Sequence, residues 1–179
     1  MTTWPVGART GRYHPLMRAL HWTIALLVLI VLPVGILIKF VAEADKPVFY
    51  LIHESLGFLI LWIMLARLAV RLAIGAPPRE EPVPAFRALA TTVHVSLYAA
   101  LILQPIFGFL ATNAFGFPLQ WFGVVTVPSP IGDSPELAPY LMGVHVALGY
   151  AILVLFCLHM AGVIYHTFVR RDGLLRRMI

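Results

Sequence analysis

Apolar residues along the chain fall into four long blocks, separated by polar, charged or proline-rich stretches. The blocks run approximately over Leu20–Phe40, Val48–Ile74, Phe86–Thr112 and Tyr140–Phe168. Each block matches or exceeds the roughly 20 residues that an α-helix needs to cross a hydrocarbon core. The pattern predicts four transmembrane helices in one domain over residues 1–179, and the longer helices must tilt or protrude.

Composition points to the same class of protein. Hydrophobic residues make up 60% of the chain and charged residues only 12%, which is incompatible with an ordinary soluble domain. A soluble protein with four such helices would have too few polar residues to cover its core. The predicted fold is therefore an all-α integral membrane protein, a bundle of four transmembrane helices.

The distribution of basic residues predicts the orientation, because loops rich in Lys and Arg stay in the cytoplasm. A cytoplasmic N-terminus places eleven basic residues at the inner side: Arg9, Arg12, Arg18, Arg67, Arg71, Arg79, Arg87, Arg170, Arg171, Arg176 and Arg177. The outer side then has only Lys39 and Lys46, together with the acidic residues Glu43, Asp45, Asp133 and Glu136. Both termini are thus predicted to be cytoplasmic, and the net charge of +5 reflects topology rather than nucleic-acid binding.

The connections between the blocks differ in character. The stretch Pro77–Pro84 predicts an extended inner link, whereas the long outer connection Asn113–Pro139 carries Trp121 and Phe122, which suit the membrane interface. Cys157 is the sole cysteine. One cysteine excludes an intramolecular disulfide, a Cys-ligated iron–sulfur cluster and covalent c-type haem attachment.

Four of the seven histidines form two pairs at opposite depths. His21 begins the first helix and His159 lies late in the antiparallel fourth, so both are near the inner side. His53 and His145 enter the second and fourth helices from outside. His145 and His159 are 14 residues apart, which is about 21 Å along a helix and within roughly 40° of one face. Ionisable groups at such depths predict function.

A short repeat surrounds the outer pair. Ile52–Phe58 and Val144–Tyr150 share the pattern His, two variable residues, Leu, Gly, aromatic. Gly57 and Gly149 follow their histidines by one turn on the same face, where they leave room for a flat macrocycle; close helix packing by small residues is the alternative. Zinc prefers four compact ligands, whereas two separated pairs suit two haem irons with two axial imidazoles each.

Other polar residues lie near the predicted inner site. His94 has either a structural role or a bond to a haem propionate or a bound quinone. Arg67 and Arg71 are one turn apart, and they either extend to lipid phosphates or pair with haem propionates.

Several motifs together resemble the bacterial cytochrome b561 family of small di-haem membrane proteins, over nearly the whole chain. They are Arg18–Trp22, His53–Gly57, His145–Gly149 and the segment from His159 through Tyr165 and His166 to Asp172 and Arg176–Met178. The resemblance implies two haem b groups, an inner one held by His21 and His159 and an outer one by His53 and His145. The topology gives the same pairs.

The resemblance also implies a function in the bacterial inner membrane: oxidoreduction between ubiquinone and a periplasmic electron donor or acceptor, including superoxide in some members. It makes His166 a candidate for quinone contact, and a structural hydrogen bond is the alternative. A superoxide site requires a basic surface, which would steer the anionic donor toward it. The outer side of this chain departs from that requirement, because acidic residues predominate there.

Two other functions are compatible with the sequence. One is a cytochrome subunit that anchors a hydrogenase or another periplasmic dehydrogenase, and the other is a membrane scaffold without redox chemistry. A quinone site at the outer end, near Trp121, is the alternative to an inner one. Lipid and quinone are the predicted partners, with no nucleic acid.

Overall fold

Four long helices dominate the computed structural model, which describes residues 11–77 and 83–179. Helix α1 spans Pro15–Leu37 with a 3-10 turn over Ile38–Phe40, α2 spans Lys46–Ile74, α3 spans Pro84–Ala114 and α4 spans Ala138–Ile164. A π-helix over Tyr165–Arg170 extends α4, and a 3-10 helix over Leu174–Arg177 follows. Arg9 and residues 78–82, which include Arg79 and most of the predicted inner link, lie outside the described residues.

The helices begin two to five residues before the apolar blocks. Each has a proline in its first two positions: Pro15, Pro47, Pro84 and Pro139. Proline suits this position because the first helical turn does not use its N–H groups in internal hydrogen bonds. The apolar blocks delimit the hydrocarbon-spanning part, so they omit these first turns.

Contacts between successive helices show that neighbours run antiparallel. The start of α2 meets the end of α1 where the ring of His53 contacts the Val31 carbonyl. The start of α4 meets the later part of α3 where His145 contacts Gln104. We call the end of the bundle that contains these contacts the outer end, and the opposite end, where Arg177 contacts Gly11, the inner end.

Only a narrow strip of each helix is buried by protein. Ile24 and Val31 of α1 pack with Ile60 and Met64 of α2, and Tyr98 of α3 lies against this cluster. In the most apolar window of every helix, no more than 17% of the residues are buried. Lipid must cover the remaining apolar surface, and the predicted four-helix membrane fold is confirmed.

The outer connection contains a small hairpin that the sequence did not predict. Strands β1, Gln120–Trp121, and β2, Val125–Thr126, pair antiparallel. The Trp121 indole N–H donates to the carbonyl of Ser55 over 3.2 Å, and the Phe122 backbone N–H donates to the Ser55 hydroxyl over 2.8 Å. Ser55 is fully buried, so the hairpin covers α2 two residues beyond His53.

The C-terminal segment crosses the beginning of α1 at the inner end. The indole N–H of Trp22, the neighbour of His21, donates to the Met178 carbonyl over 2.8 Å. Arg177 Nε donates to the Gly11 carbonyl over 2.7 Å. The last turn of the protein thereby fixes the surroundings of an inner histidine.

Candidate functional site

The outer histidines meet between the beginnings of α2 and α4. The ring centroids of His53 and His145 are 6.0 Å apart, and the ring planes are inclined by 83°. Both side chains are partly buried. The structure thus brings together the two residues that the sequence predicted as an outer pair.

Backbone carbonyls orient both outer rings. Nδ1 of His53 lies 3.1 Å from the Val31 carbonyl oxygen, and Nδ1 of His145 lies 2.9 Å from that of Gln104. A carbonyl only accepts, so Nδ1 carries the proton in each ring and Nε2 keeps its lone pair. The Nε2 of His145 is 3.1 Å from the side-chain amide nitrogen of Gln104, which donates to that lone pair.

The inner histidines meet at the opposite end of the bundle. The ring centroids of His21 and His159 are 6.3 Å apart at an interplanar angle of 77°. His94 joins this group, since its centroid lies 5.3 Å from that of His159. Its Nδ1 contacts the carbonyl of Ala90, one turn earlier in the same helix, at 2.5 Å.

Both centroid distances fit a single metal ion held between two imidazoles. A bond from such a metal to an imidazole nitrogen is about 2 Å, so rings on opposite sides of one ion have centres about 6 Å apart. Within residues 11–77 and 83–179, no three His, Cys, Asp or Glu side chains form a group that would hold a metal. Two axial ligands without further protein donors suit an iron whose remaining ligands belong to a macrocycle.

Two arginines near the inner histidines have unsatisfied donors. Arg67 Nε and Arg71 Nη1 are buried without a hydrogen-bond partner, and the guanidinium of Arg67 lies 4.9 Å from the Tyr98 ring centroid. Buried donors normally have partners. An anionic oxygen within hydrogen-bond distance of either donor, such as that of a haem propionate, would satisfy it.

His166, near the end of the membrane-spanning helix Ala138–Arg170, forms an ion pair with Asp172, which follows that helix. His166 Nδ1 lies 2.6 Å from Asp172 Oδ2, and the Leu174 N–H donates to Oδ1 over 3.1 Å. Slight burial raises the pKa of Asp172, but these hydrogen bonds and the charges of His166 and Arg170 outweigh it and lower the pKa below its ordinary value. The carboxylate thus fixes the orientation of the His166 ring.

Four glycines of the long helices divide into two groups. A Cβ added to Gly57 or Gly149 would meet nothing within 4 Å, which leaves open space beside the predicted haem-packing positions. Gly35 and Gly108, which the sequence reading missed, instead lie against the rings of His53 and His145. One sequence feature could have singled out these two glycines. A proline lies one turn or less before each of them: Pro33 before Gly35 and Pro105 before Gly108.

Comparisons with known proteins agree with this geometry. A family model described as prokaryotic cytochrome b561 matches residues 12–179. The chain is 29% identical to cytochrome b561 homolog 2 of Escherichia coli, over 94% of this chain and 91% of the relative. It is also 29% identical to the probable superoxide oxidase CybB of Yersinia pestis, over 94% and 96%, and 27% identical to cytochrome b562 of Cereibacter sphaeroides, over 93% and 94%.

The family match explains why paired histidines lie inside a membrane bundle. A cytochrome b carries haem b, a redox group for electron transport, and four spans make this a multi-pass protein of the bacterial inner membrane. The chain belongs to the prokaryotic cytochrome b561 family.

Proposed function

We propose that this protein is a di-haem b quinone-linked oxidoreductase, which exchanges electrons between the quinone pool and a periplasmic donor or acceptor. The observation that carries the proposal is the occurrence of two histidine pairs, with ring separations of 6.0 and 6.3 Å, at opposite ends of one bundle. Two redox centres at these depths would divide the crossing of the membrane into shorter electron-transfer steps.

The histidines would hold the haem irons in two pairs. His53 with His145 would hold the outer haem, and His21 with His159 the inner haem. The carbonyls of Val31 and Gln104 keep Nε2 unprotonated in both outer rings. In His145, iron would take the place of the Gln104 side-chain amide, which donates to Nε2 in the structure. A haem held by two histidines would supply one-electron transfer.

The inner end supports the quinone link. Arg67 and Arg71 offer buried donors for haem propionates or for a quinone oxygen, and His94 adjoins the inner pair. As an imidazolium, with its Nδ1–H held by Asp172, His166 would donate its Nε2–H to a quinone carbonyl. Donors at this point stabilise the charge that a quinone gains on reduction.

The outer end gives less support to superoxide as the substrate, although a relative is named a probable superoxide oxidase. Lys46 is paired with Glu43, and the Lys39 ammonium lies 5.0 Å from the centroid of the Phe40 ring. Glu43 neutralises Lys46, and Asp45, Asp133 and Glu136 outnumber the remaining Lys39, so the outer end provides little steering for an anion. A neutral or cationic periplasmic redox partner suits this surface better.

Haem quantitation in histidine variants tests the proposal. Pyridine haemochrome analysis of the fully loaded protein should give two haems per chain. His53→Ala or His145→Ala should remove the outer haem, whereas His21→Ala or His159→Ala should remove the inner one. One haem in the wild type would refute the two-site arrangement, and a colourless protein would leave only a scaffold role.

Vesicle experiments test the direction of access and the partner. In oriented vesicles, an impermeant reductant outside should reduce the haem of His53 and His145 first, followed by quinone reduction. A response of the inner haem first would contradict the topology or the pairing. Stable copurification of a periplasmic dehydrogenase would favour the anchor-subunit alternative.

A further inference from the structure

The outer site is built twice with the same local geometry. In each half, a histidine at the start of one helix donates its Nδ1–H to a carbonyl of the preceding helix. In both cases a glycine occurs four residues after that carbonyl: Gly35 follows Val31, and Gly108 follows Gln104.

We propose that Gly35 and Gly108 are positioning residues of the outer haem site, each leaving the space into which one ligand imidazole fits against its orienting carbonyl. The inference rests on the proposed role of His53 and His145 as iron ligands. It adds the requirement that the facing positions on α1 and α3 have no side chain.

The contacts explain why a side chain is excluded. A Cβ at Gly35 would lie 2.4 Å from Cε1 of His53, and a Cβ at Gly108 would lie 2.7 Å from Cε1 and Nδ1 of His145. An ordinary contact begins at 3.4 Å, so the nearest ring atoms would have to retreat by about 1.0 and 0.7 Å. Such a shift would stretch or break the Nδ1–H bonds.

Helix geometry makes glycine the suitable residue at this spacing. A helical carbonyl points toward the N–H of the residue four positions later, so that residue's Cβ borders the approach to the oxygen. Carbonyl oxygen has a second lone pair, which the imidazole can use only when the approach is clear.

General helix packing by small residues does not account for these two positions. At each of them, the three nearest atoms to an added Cβ all belong to one imidazole ring rather than to a helix backbone. By contrast, an added Cβ at Gly143, on α4 near His145, meets nothing within 4 Å. Gly143 therefore provides a matched control.

The experiment compares Gly35→Ala and Gly108→Ala with Gly143→Ala. Loss of a hydrogen bond that orients a metal-ligating histidine typically weakens metal binding roughly 10- to 100-fold. In a haem titration, both test variants should therefore bind the outer haem more weakly and keep the inner haem. In any retained outer haem, the low-spin ferric electron paramagnetic resonance signal should shift, because it depends on the angle between the imidazole planes. Gly143→Ala should match the wild type.

A double substitution separates ring displacement from misfolding. If Gly35→Ala acts through His53, then Gly35→Ala with His53→Ala should retain the inner haem as well as His53→Ala alone does. Additional loss in the double variant would assign Gly35 to backbone packing and overturn the inference. Unchanged outer haem affinity and resonance signal in both single variants would also overturn it, while the wild-type haem count separately tests the two-haem function.

Discussion

Replacing Arg67 with methionine tests whether its buried guanidinium holds an anionic group of the cofactor. In the structure, Arg67 Nε is buried without a hydrogen-bond partner, and the guanidinium lies 4.9 Å from the Tyr98 ring centroid. A buried unpaired donor destabilises a protein by about 1–3 kcal/mol. The cation–π contact offsets about 0.5–1 kcal/mol of this cost.

The substitution should have opposite effects on the haem-free and haem-loaded protein. Methionine preserves apolar volume and removes the unpaired donor, so the free energy of unfolding of the haem-free protein should rise by up to about 2 kcal/mol. A charge-assisted bond to a propionate contributes about 1.5–3 kcal/mol. Inner haem affinity should therefore fall by roughly 10- to 150-fold.

The assay uses haem-free protein in detergent micelles. Haem is titrated while the Soret absorbance is followed, and unfolding of the haem-free protein is measured separately by denaturant. Arg12→Met is the control, because Arg12 is exposed at the same end and should change neither quantity. Wild-type haem affinity in Arg67→Met would refute propionate pairing and assign Arg67 to lipid phosphates.

Four further outcomes are expected. His94→Ala should retain the inner haem, because Nδ1 of His94 contacts a carbonyl of its own helix and the predicted ligand pair is His21 with His159, whose ring centroids are 6.3 Å apart. Weaker binding of the inner haem in a haem titration would instead make His94 a ligand. His166→Ala should preserve both haem spectra and slow quinone-coupled electron transfer roughly ten-fold or more, and Asp172→Asn should slow it in the same direction; unchanged stopped-flow kinetics would assign the pair to structure. Since the pKa of Asp172 is lowered, its contribution to stability should be present above the unfolded-state pKa and disappear as the pH falls through the lowered value in acid titration. Ser55→Ala should destabilise hairpin docking by about 1–3 kcal/mol, because the Phe122 N–H loses its acceptor; wild-type protease resistance of the hairpin would contradict this.

The family comparisons support the family and the membrane class, whereas the roles of individual side chains depend on position in three dimensions. The repeat of His and Gly in α2 and α4 was visible in the sequence. Its interpretation was incomplete, because Gly57 and Gly149 border open space while Gly35 and Gly108 contact the rings. Only the rotation of one helix relative to its neighbour distinguishes these two kinds of glycine.

The sequence by itself determined the membrane fold and the depth of each histidine. Block length sets the number of spans, and a rise of 1.5 Å per residue converts chain position into depth. Tertiary structure decided which backbone carbonyls orient the outer rings, because Val31 is 22 residues from His53 and Gln104 is 41 residues from His145. It also decided that Trp121 packs onto Ser55 instead of remaining a general interfacial aromatic. Such contacts depend on how helices and loops pack, which the hydrophobic period of a single helix does not encode.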